Sequence, residues 1–482
     1  MRSVNLDEAQ ILEAGSRLTG LLQELERTIR ERPIASVLDR SELARLREMP
    51  FSSEGIGIDR LFSEIRSSVI PNSTNTAHPR FLAYVLGPSN GIAPFADAIA
   101  SALNQNCNFW QLSPAANAIE QNVISWLAAQ FEYPDTAGGL LTSGGSMATL
   151  IALSTALHAH ASRFRESGLQ RRRSTLVAYA SAEAHQCVEK CAAILGLGTD
   201  HVRRIPTDAA CQLRIDQLSS AIDEDRRRGD TPFCVVASAG TVTTGAIDPI
   251  DELAQLCQAH RLWLHVDAAY GGLFVLSARV RHQLLPCGRA DSIALDPHKL
   301  LFAPLEAGSL LVRDRRSLER AFRFEAAYLP DDDDPLLTNF MHAGPELSRR
   351  FKAFKVWCAL RAFGVGAFVA AVDHTLDMAR LLERRLAESG VCEVVAPGPL
   401  TAVCFRVSNR DDAFQRQVVA ALRGDGTAFV GLATVRGRLA IRACVANYRT
   451  TASDIDYIVD RLVALADSRS DSHGDDSHSP GT

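Results

Sequence analysis

The stretch PFCVVASA (232–239), the helical pattern IDELAQLCQAH (250–260) and LWLHVDAA (262–269) decide the fold. Two apolar runs of strand length flank a segment of helical periodicity, and the runs do not alternate polar with apolar. Strands apolar on both faces must be covered on both faces, which implies a parallel sheet between helical layers. The same rhythm extends outward in both directions. GGLLTS (138–143), STLVAYAS (174–181), DSIALD (291–296) and AGSLLVRD (307–314) read as further strands, with helical patterns over Met147–His160 and Gln186–Leu195 between them. The expected architecture is α/β, a mostly parallel sheet with helices on both faces.

The ends of the chain differ from this middle. Residues 7–31 space Ile11, Leu12, Leu18, Leu21, Leu22 and Leu25 as an amphipathic helix, followed by the connection VIPNSTNTAHP (69–79). Residues 1–79 are therefore expected to form a helical arm, with too little core to stand alone and packed on another surface, a second subunit being the natural one. Residues 80–364 form the large unit. Residues 365–466 are expected to form a smaller α+β domain, with helical patterns at 368–389 and 411–423 and strand-like AVCFRVS and GRLAIRACV. The tail 467–482, DSRSDSHGDDSHSPGT, is polar and expected to be disordered.

Composition excludes several classes. In 482 residues, 22% charged and 46% hydrophobic with a formal net charge of -5, nothing favours a nucleic acid, and Arg171–Arg173 reads as a solvated connection. No window approaches the roughly 18 uninterrupted apolar residues of a membrane span. Eleven cysteines without CxxC pairs and an N-terminus without a signal-like segment point to reduced thiols and a cytoplasmic protein.

In open parallel sheets ligands collect beyond the C-terminal strand ends, and unusual polar groups stand at such places here. LLTSGGSMATLIAL (140–153) passes from strand through two glycines to a helix start, the form of an anion site; the plainer reading is a helix capped by Ser146. Asp267 closes a strongly apolar strand in HVDAAYGG (265–272), where a carboxylate needs a cation or strong donors. His265 and Asp267 lack matching ligands elsewhere, so no metal is expected. Lys299 lies in the apolar run LDPHKLLFAP (295–304), where desolvation would free its lone pair for Schiff-base chemistry; the plainer reading is a snorkelling side chain. His185, in SAEAHQCVEKCAAILG (181–196), follows another strand. Phosphate cradle, buried acid, flat imidazole and buried amine together match the parts of pyridoxal phosphate.

At these motifs the sequence resembles the group II pyridoxal-phosphate-dependent amino acid decarboxylases, which include aromatic amino acid, glutamate and diaminobutyrate decarboxylases of fold type I. The resemblance runs from HPRFLAY (78–84) and WQLSPAANAIEQNV (110–123) through SGGSMATL, AHQCVEKCA, AGTVTTGAIDPI (239–250), HVDAAYGG and DPHKLLFAP to LSRRFKAFKVWCALRAFG (347–364) and IRACVANYRTT (441–451). It implies Lys299 as the Schiff-base lysine, Asp267 as partner of the pyridine nitrogen and His185 as the stacking ring. Gly145 and Ser146 would hold the phosphate with Asp296 or His298, and Thr241 would lie near the cofactor. Asn108 and Trp110 would lie near the substrate or the interface of a homodimer with shared active sites. Arg442 is a candidate for the substrate carboxylate or for a structural salt bridge.

The implied activity is decarboxylation of an L-amino acid to its amine and CO2. The acidic run Asp331–Asp334, read as a solvated loop, favours a neutral aromatic or aliphatic substrate over an acidic one. At one place the sequence departs from the family: counted back from Arg349-Arg350-Phe351, Phe340 stands where many members carry a loop tyrosine that returns a proton to the carbanion. Phenylalanine there accompanies diversion to oxygen, giving an aldehyde, ammonia and peroxide, which makes oxidative deamination the alternative, unless Tyr328 or His342 serves as the acid. A second alternative is a silent cofactor-binding protein.

Overall fold

The computed structural model describes residues 4–36, 39–161, 163–170, 172–324 and 338–467; Tyr328, Asp331–Asp334, Arg171 and positions 468–482 of the tail lie outside these. Seven strands form the larger sheet: β1 (Gly138–Thr142), β2 (Leu176–Ser181), β3 (Val202–Ile205), β4 (Thr231–Ser238), β5 (Trp263–Asp267), β6 (Ser292–Leu295) and β7 (Gly308–Val312). Their order is β1-β7-β6-β5-β4-β2-β3. All neighbours are parallel except at β7, which runs against both β1 and β6. β2 and β7 are buried at every position, as two-sided coverage requires. Sequence reading missed β3 because Arg203 and Arg204 interrupt its apolar pattern. It is one of the two edge strands, where charged side chains are tolerated and discourage pairing with another chain.

The helices that position the site are α1 (Glu8–Arg27), α2 (Ala93–Leu103), α3 (Pro114–Gln130), α4 (Gly145–His160), α5 (Cys187–Ile194), α6 (Ile250–His260), α7 (Ala353–Glu388), α8 (Asp412–Gly424) and α9 (Ala452–Asp467). A second, antiparallel sheet orders β8 (Cys392–Pro397), β9 (Ala402–Val407), β10 (Gly431–Val435) and β11 (Arg438–Cys444) as β10-β11-β9-β8. The boundary expected at residue 365 falls inside α7, at Gly364, whose φ of 71° and ψ of 159° kink the helix. A glycine adopts that φ without the Cβ clash other residues meet. By length and composition α7 is apolar enough to cross a membrane, yet Phe368, Val372, Leu376, Leu382 and Leu386 are buried in the protein core. Each such side chain contributes roughly 1.5–3 kcal/mol by leaving water. The main core runs from the larger sheet through Phe368 and Val372 to Leu400, Ala402 and Cys444, while Val403, Phe405 and Ile441 of the smaller sheet pack in a second core with Leu382 and Leu386.

Two features depart from the expected division. Residues 80–83, expected with the large unit, pair with the smaller sheet: Leu82 N–H donates to Phe429 O (2.8 Å) and Leu82 O accepts from Cys444 N–H (2.8 Å). A buried backbone must find partners, and these are the ones at hand. The arm also docks on its own chain, through Arg30 to Asp454 (2.9 Å) and Arg449 to Glu26 (2.5 Å). Helix α1 begins at a capping box between Asp7 and Gln10 and buries only Leu21.

Among the described residues the most enclosed ion pair joins Arg349 to Glu120 of α3, with side chains 1% and 0% exposed. Glu120 also accepts the N–H of Leu141 (2.8 Å), while Arg349 donates to the carbonyls of Leu141 (3.0 Å) and Cys107 (2.8 Å). These bonds hold α3, β1 and the entry to α7 at one point. Arg349→Met, which leaves Glu120 buried without its cation, is expected to cost about 3–5 kcal/mol of stability. The measurement is a reversible denaturant titration, and the double substitution with Glu120→Leu should recover part of the loss.

Candidate active site

Beyond the C-terminal edge of the larger sheet, β1 ends at Thr142 and the chain turns through Ser143 and Gly144 into α4. No side chain caps this helix. Ser146 is not the cap because the helix starts before it, at Gly145, so the first-turn N–H groups and the positive end of the helix dipole are left for a ligand. Gly145 is required by space: a Cβ there would stand 2.8 Å from Ala269 Cβ and 3.4 Å from Asp296 Oδ2.

Asp267 terminates β5. Its Oδ1 accepts the N–H of Ala269 (3.1 Å), and the Cys187 thiol lies 4.0 Å from Oδ2. Burial raises its pKa, opposed chiefly by the positive charge of Lys299. The carboxylate therefore stands short of cationic partners. His265 does not share a site with it: its ring lies between Ser292 Oγ (2.9 Å) and Thr149 Oγ1 (3.4 Å), and burial lowers its pKa to about 3. Among the described residues, no three His, Cys, Asp or Glu side chains group as metal ligands.

After β6 the turn Pro297–Leu300 presents Lys299, whose Nζ lies 2.9 Å from Asp296 Oδ2. This corrects the expectation of an amine in purely apolar surroundings: Leu300 and Leu301 are buried, but a carboxylate meets the ammonium. His298 Nε2 lies 3.5 Å from the same oxygen and Nδ1 2.9 Å from Ala307 O. Asp296 Oδ1 is buried and has no hydrogen-bond partner. His185 Nδ1 accepts the N–H of Cys187 (3.2 Å), which fixes the ring at the start of α5. Thr241 is buried in a turn closed by Thr244 Oγ1 (3.1 Å). Beneath it Asp248 accepts the N–H groups of Ser238 and Leu213, and burial lifts its pKa to about 6. A cleft of about 330 Å³ brings Gly145, Ser146, His185, Thr241, Asp267, Asp296, His298 and Lys299 together.

A model of the pyridoxal-dependent decarboxylase conserved domain matches residues 41–408. The chain belongs to this family. It is 33% identical over 474 residues to an aromatic-L-amino-acid decarboxylase of Bacillus atrophaeus, covering 96% of this chain and 97% of that one. A histidine decarboxylase of Rattus norvegicus is 32% identical, over 92% of this chain and 69% of its own. Among solved structures, that of Oryza sativa TDC with PLP and tryptamine superposes with a TM-score of 0.91 at 26% identity, covering 96% of this chain and 99% of that one. The protein is thus a pyridoxal-phosphate-dependent carboxy-lyase of fold type I.

The residues of the cleft fit the family's cofactor. An uncapped helix start with no room for a Cβ suits a phosphate, and a buried carboxylate short of cations suits a protonated ring nitrogen. The partly open Lys299 suits an aldehyde. Four residues expected near the site do not line the cleft. Phe340 is 1% exposed in a core cluster with Leu140, Ile151 and Leu310, its ring 4.7 Å from the Arg349 guanidinium carbon. Within this chain it is an interior aromatic rather than a group facing the cleft. Asn108 and Trp110 contact the same segment: Asn108 O accepts from Met341 N–H (2.8 Å) and Trp110 N–H reaches Asn339 Oδ1 (3.4 Å). Arg442 donates to the carbonyls of Thr243 (3.1 Å) and Tyr84 (3.0 Å), a tie to backbone rather than a salt bridge, and its buried Nη2 has no partner.

Sequence reading missed Val242 and Leu305 in the cleft lining, 40% and 62% exposed. The signal was available for Val242, an apolar residue inside AGTVTTGAIDPI, whereas Leu305 stands one residue beyond LDPHKLLFAP. Gly145→Ala tests the cradle: overpacking of this kind costs about 1–3 kcal/mol, so cofactor affinity should fall about tenfold or more in an equilibrium titration. Lys299→Ala should abolish both turnover and the long-wavelength absorbance of lysine-bound cofactor.

Proposed function

We propose that this protein converts a neutral aromatic or aliphatic L-amino acid to its amine and CO2. The observation that carries the choice of substrate is the cleft mouth, where Val242 and Leu305 are exposed and, among the described residues, no arginine lines the walls. A second carboxylate on the substrate would find no dedicated cation there, and an unpaired buried charge costs several kcal/mol. When bound, pyridoxal phosphate supplies the electron sink for the bond to the departing carboxylate. In this reading Lys299 anchors the cofactor covalently and Asp267 holds a proton on its ring nitrogen. His185 covers one face of the ring, Thr241 flanks it, and Gly145 and Ser146 bind the phosphate through their N–H groups.

Oxidative deamination, the alternative raised by Phe340 in place of a tyrosine, is the competing outcome. A panel of the twenty amino acids, scored for CO2, amine, aldehyde and peroxide, tests the proposal. Amine and CO2 in equal amounts are expected, with neutral substrates favoured over glutamate and aspartate by about a hundredfold or more in kcat/KM. Aldehyde with peroxide in place of amine would overturn it, as would a preference for acidic substrates.

We further propose that the working form is a homodimer whose subunits share the active-site region. Phe95, Ile99 and Leu103 form an exposed stripe along α2, and Ile11, Leu12 and Leu18 are exposed on α1. Such apolar surface is what an obligate interface covers. Sedimentation equilibrium is expected to give a dimer, and Ile99→Glu with Phe95→Glu should shift it toward monomer with loss of activity.

A further inference from the structure

Asp296 places a carboxylate beside the helix start that the preceding reading gives to the cofactor phosphate. Its side chain is 4% exposed. Oδ2 faces Lys299 (2.9 Å) and His298 (3.5 Å), while Oδ1 is buried without a partner. Built Cβ atoms put both oxygens against the cradle: one on Gly144 would lie 3.9 Å from Oδ1, and one on Gly145 3.4 Å from Oδ2.

Two difficulties meet at this oxygen. An ionised carboxylate only accepts hydrogen bonds, and leaving it unmatched in a buried site is costly. A phosphate ester with two charges, brought to the same helix start, would face it as a second acceptor-only anion. One proton between them removes both difficulties. The second pKa of a phosphate monoester is near 6, so the ester accepts a proton readily when a carboxylate replaces its water.

We propose that Asp296 selects the protonation state of the cofactor's phosphate, Oδ1 accepting a hydrogen bond from a P–OH so that binding above neutral pH takes up a proton. This inference rests on the placement of the phosphate at Gly145 and Ser146. The other groups around Asp296 do not supply that proton's role. His298 and Lys299, on its own turn, face Oδ2. From α7, Lys355 Nζ is held by Asp97 Oδ2 (3.0 Å) and Pro304 O (3.1 Å), and Lys352, just before α7, by Glu306 and Glu346 (3.6 Å each). Asp267, from β5, adds only negative charge, and the His185 ring, which lines the same cleft, accepts the N–H of Cys187 through Nδ1. The first turn of α4, the short helical segment Gly272–Leu276 and β7 bring no titratable side chain.

The test uses the full chain stripped of cofactor and pyridoxamine 5′-phosphate, which lacks the aldehyde and so cannot condense with Lys299. Calorimetric titration at pH 8 in two buffers of different ionisation enthalpy counts the protons taken up. The wild type is expected to take up close to one proton more than Asp296→Asn, and its affinity should fall more steeply, by up to about tenfold more per pH unit. Equal uptake by the two proteins overturns the inference and leaves the functional reading intact, whereas no binding by either overturns both. Should the variant not fold, the wild type still decides: inorganic phosphate, which carries a proton at pH 8, should displace the probe at about tenfold lower concentration than sulfate, which carries none. Equal displacement by the two anions overturns the proposal.

Discussion

The pairing of Arg349 with Glu120 inside the protein constrains everything that follows along β1. Two ions removed from water are retained because each also meets backbone: Glu120 takes the N–H of Leu141, and Arg349 the carbonyls of Leu141 and Cys107. Leu141 is the last residue but one of β1, immediately before the turn into α4. The position of that turn, and with it the anion-receptive helix start, is set by a charge pair on the opposite side of the strand. Phe340 belongs to the same arrangement, lying against the guanidinium and closing it from water.

At the strand ends the electrostatics are deliberately unbalanced. Two carboxylates, Asp267 and Asp296, stand near one ammonium, Lys299, and the buried imidazoles of His265 and His298 have lowered pKa values and add no firm positive charge. Such an arrangement is poorly satisfied by the chain alone. A ligand with a protonated nitrogen at one end and a protonatable anion at the other satisfies it, which is why the cleft reads as specific for one class of cofactor rather than as a generic crevice.

The larger sheet was legible in the sequence because its strands are buried on both faces, and six of seven stand out as apolar runs. β3 did not, since an edge strand carries Arg203 and Arg204 without penalty. Lys299, Asp267, His185 and the glycines each have a plainer structural reading alone; it is their occurrence together at strand ends that points to one cofactor, and they line one cleft. Phe340 was not legible in the same way. Counting from Arg349 gives its place in the chain, but whether a side chain faces a cleft or a core depends on contacts far away in sequence, here with Leu140, Ile151 and Leu310. The ion pair of Asp296 with Lys299 was hidden for a different reason: the two lie three residues apart, and only the helical turn after Pro297 brings them together.

The insertion of Leu82 between Phe429 and Cys444 has a consequence for how the molecule is made. A ribosome delivers residue 82 long before residue 429 exists, so this stretch must wait, unpaired, while the larger sheet and its helices are synthesised. Contacts of such long range close late and slowly. The smaller sheet therefore locks the beginning of the chain to its end, and the polypeptide reaches its finished topology only after the C-terminal strands have left the exit tunnel.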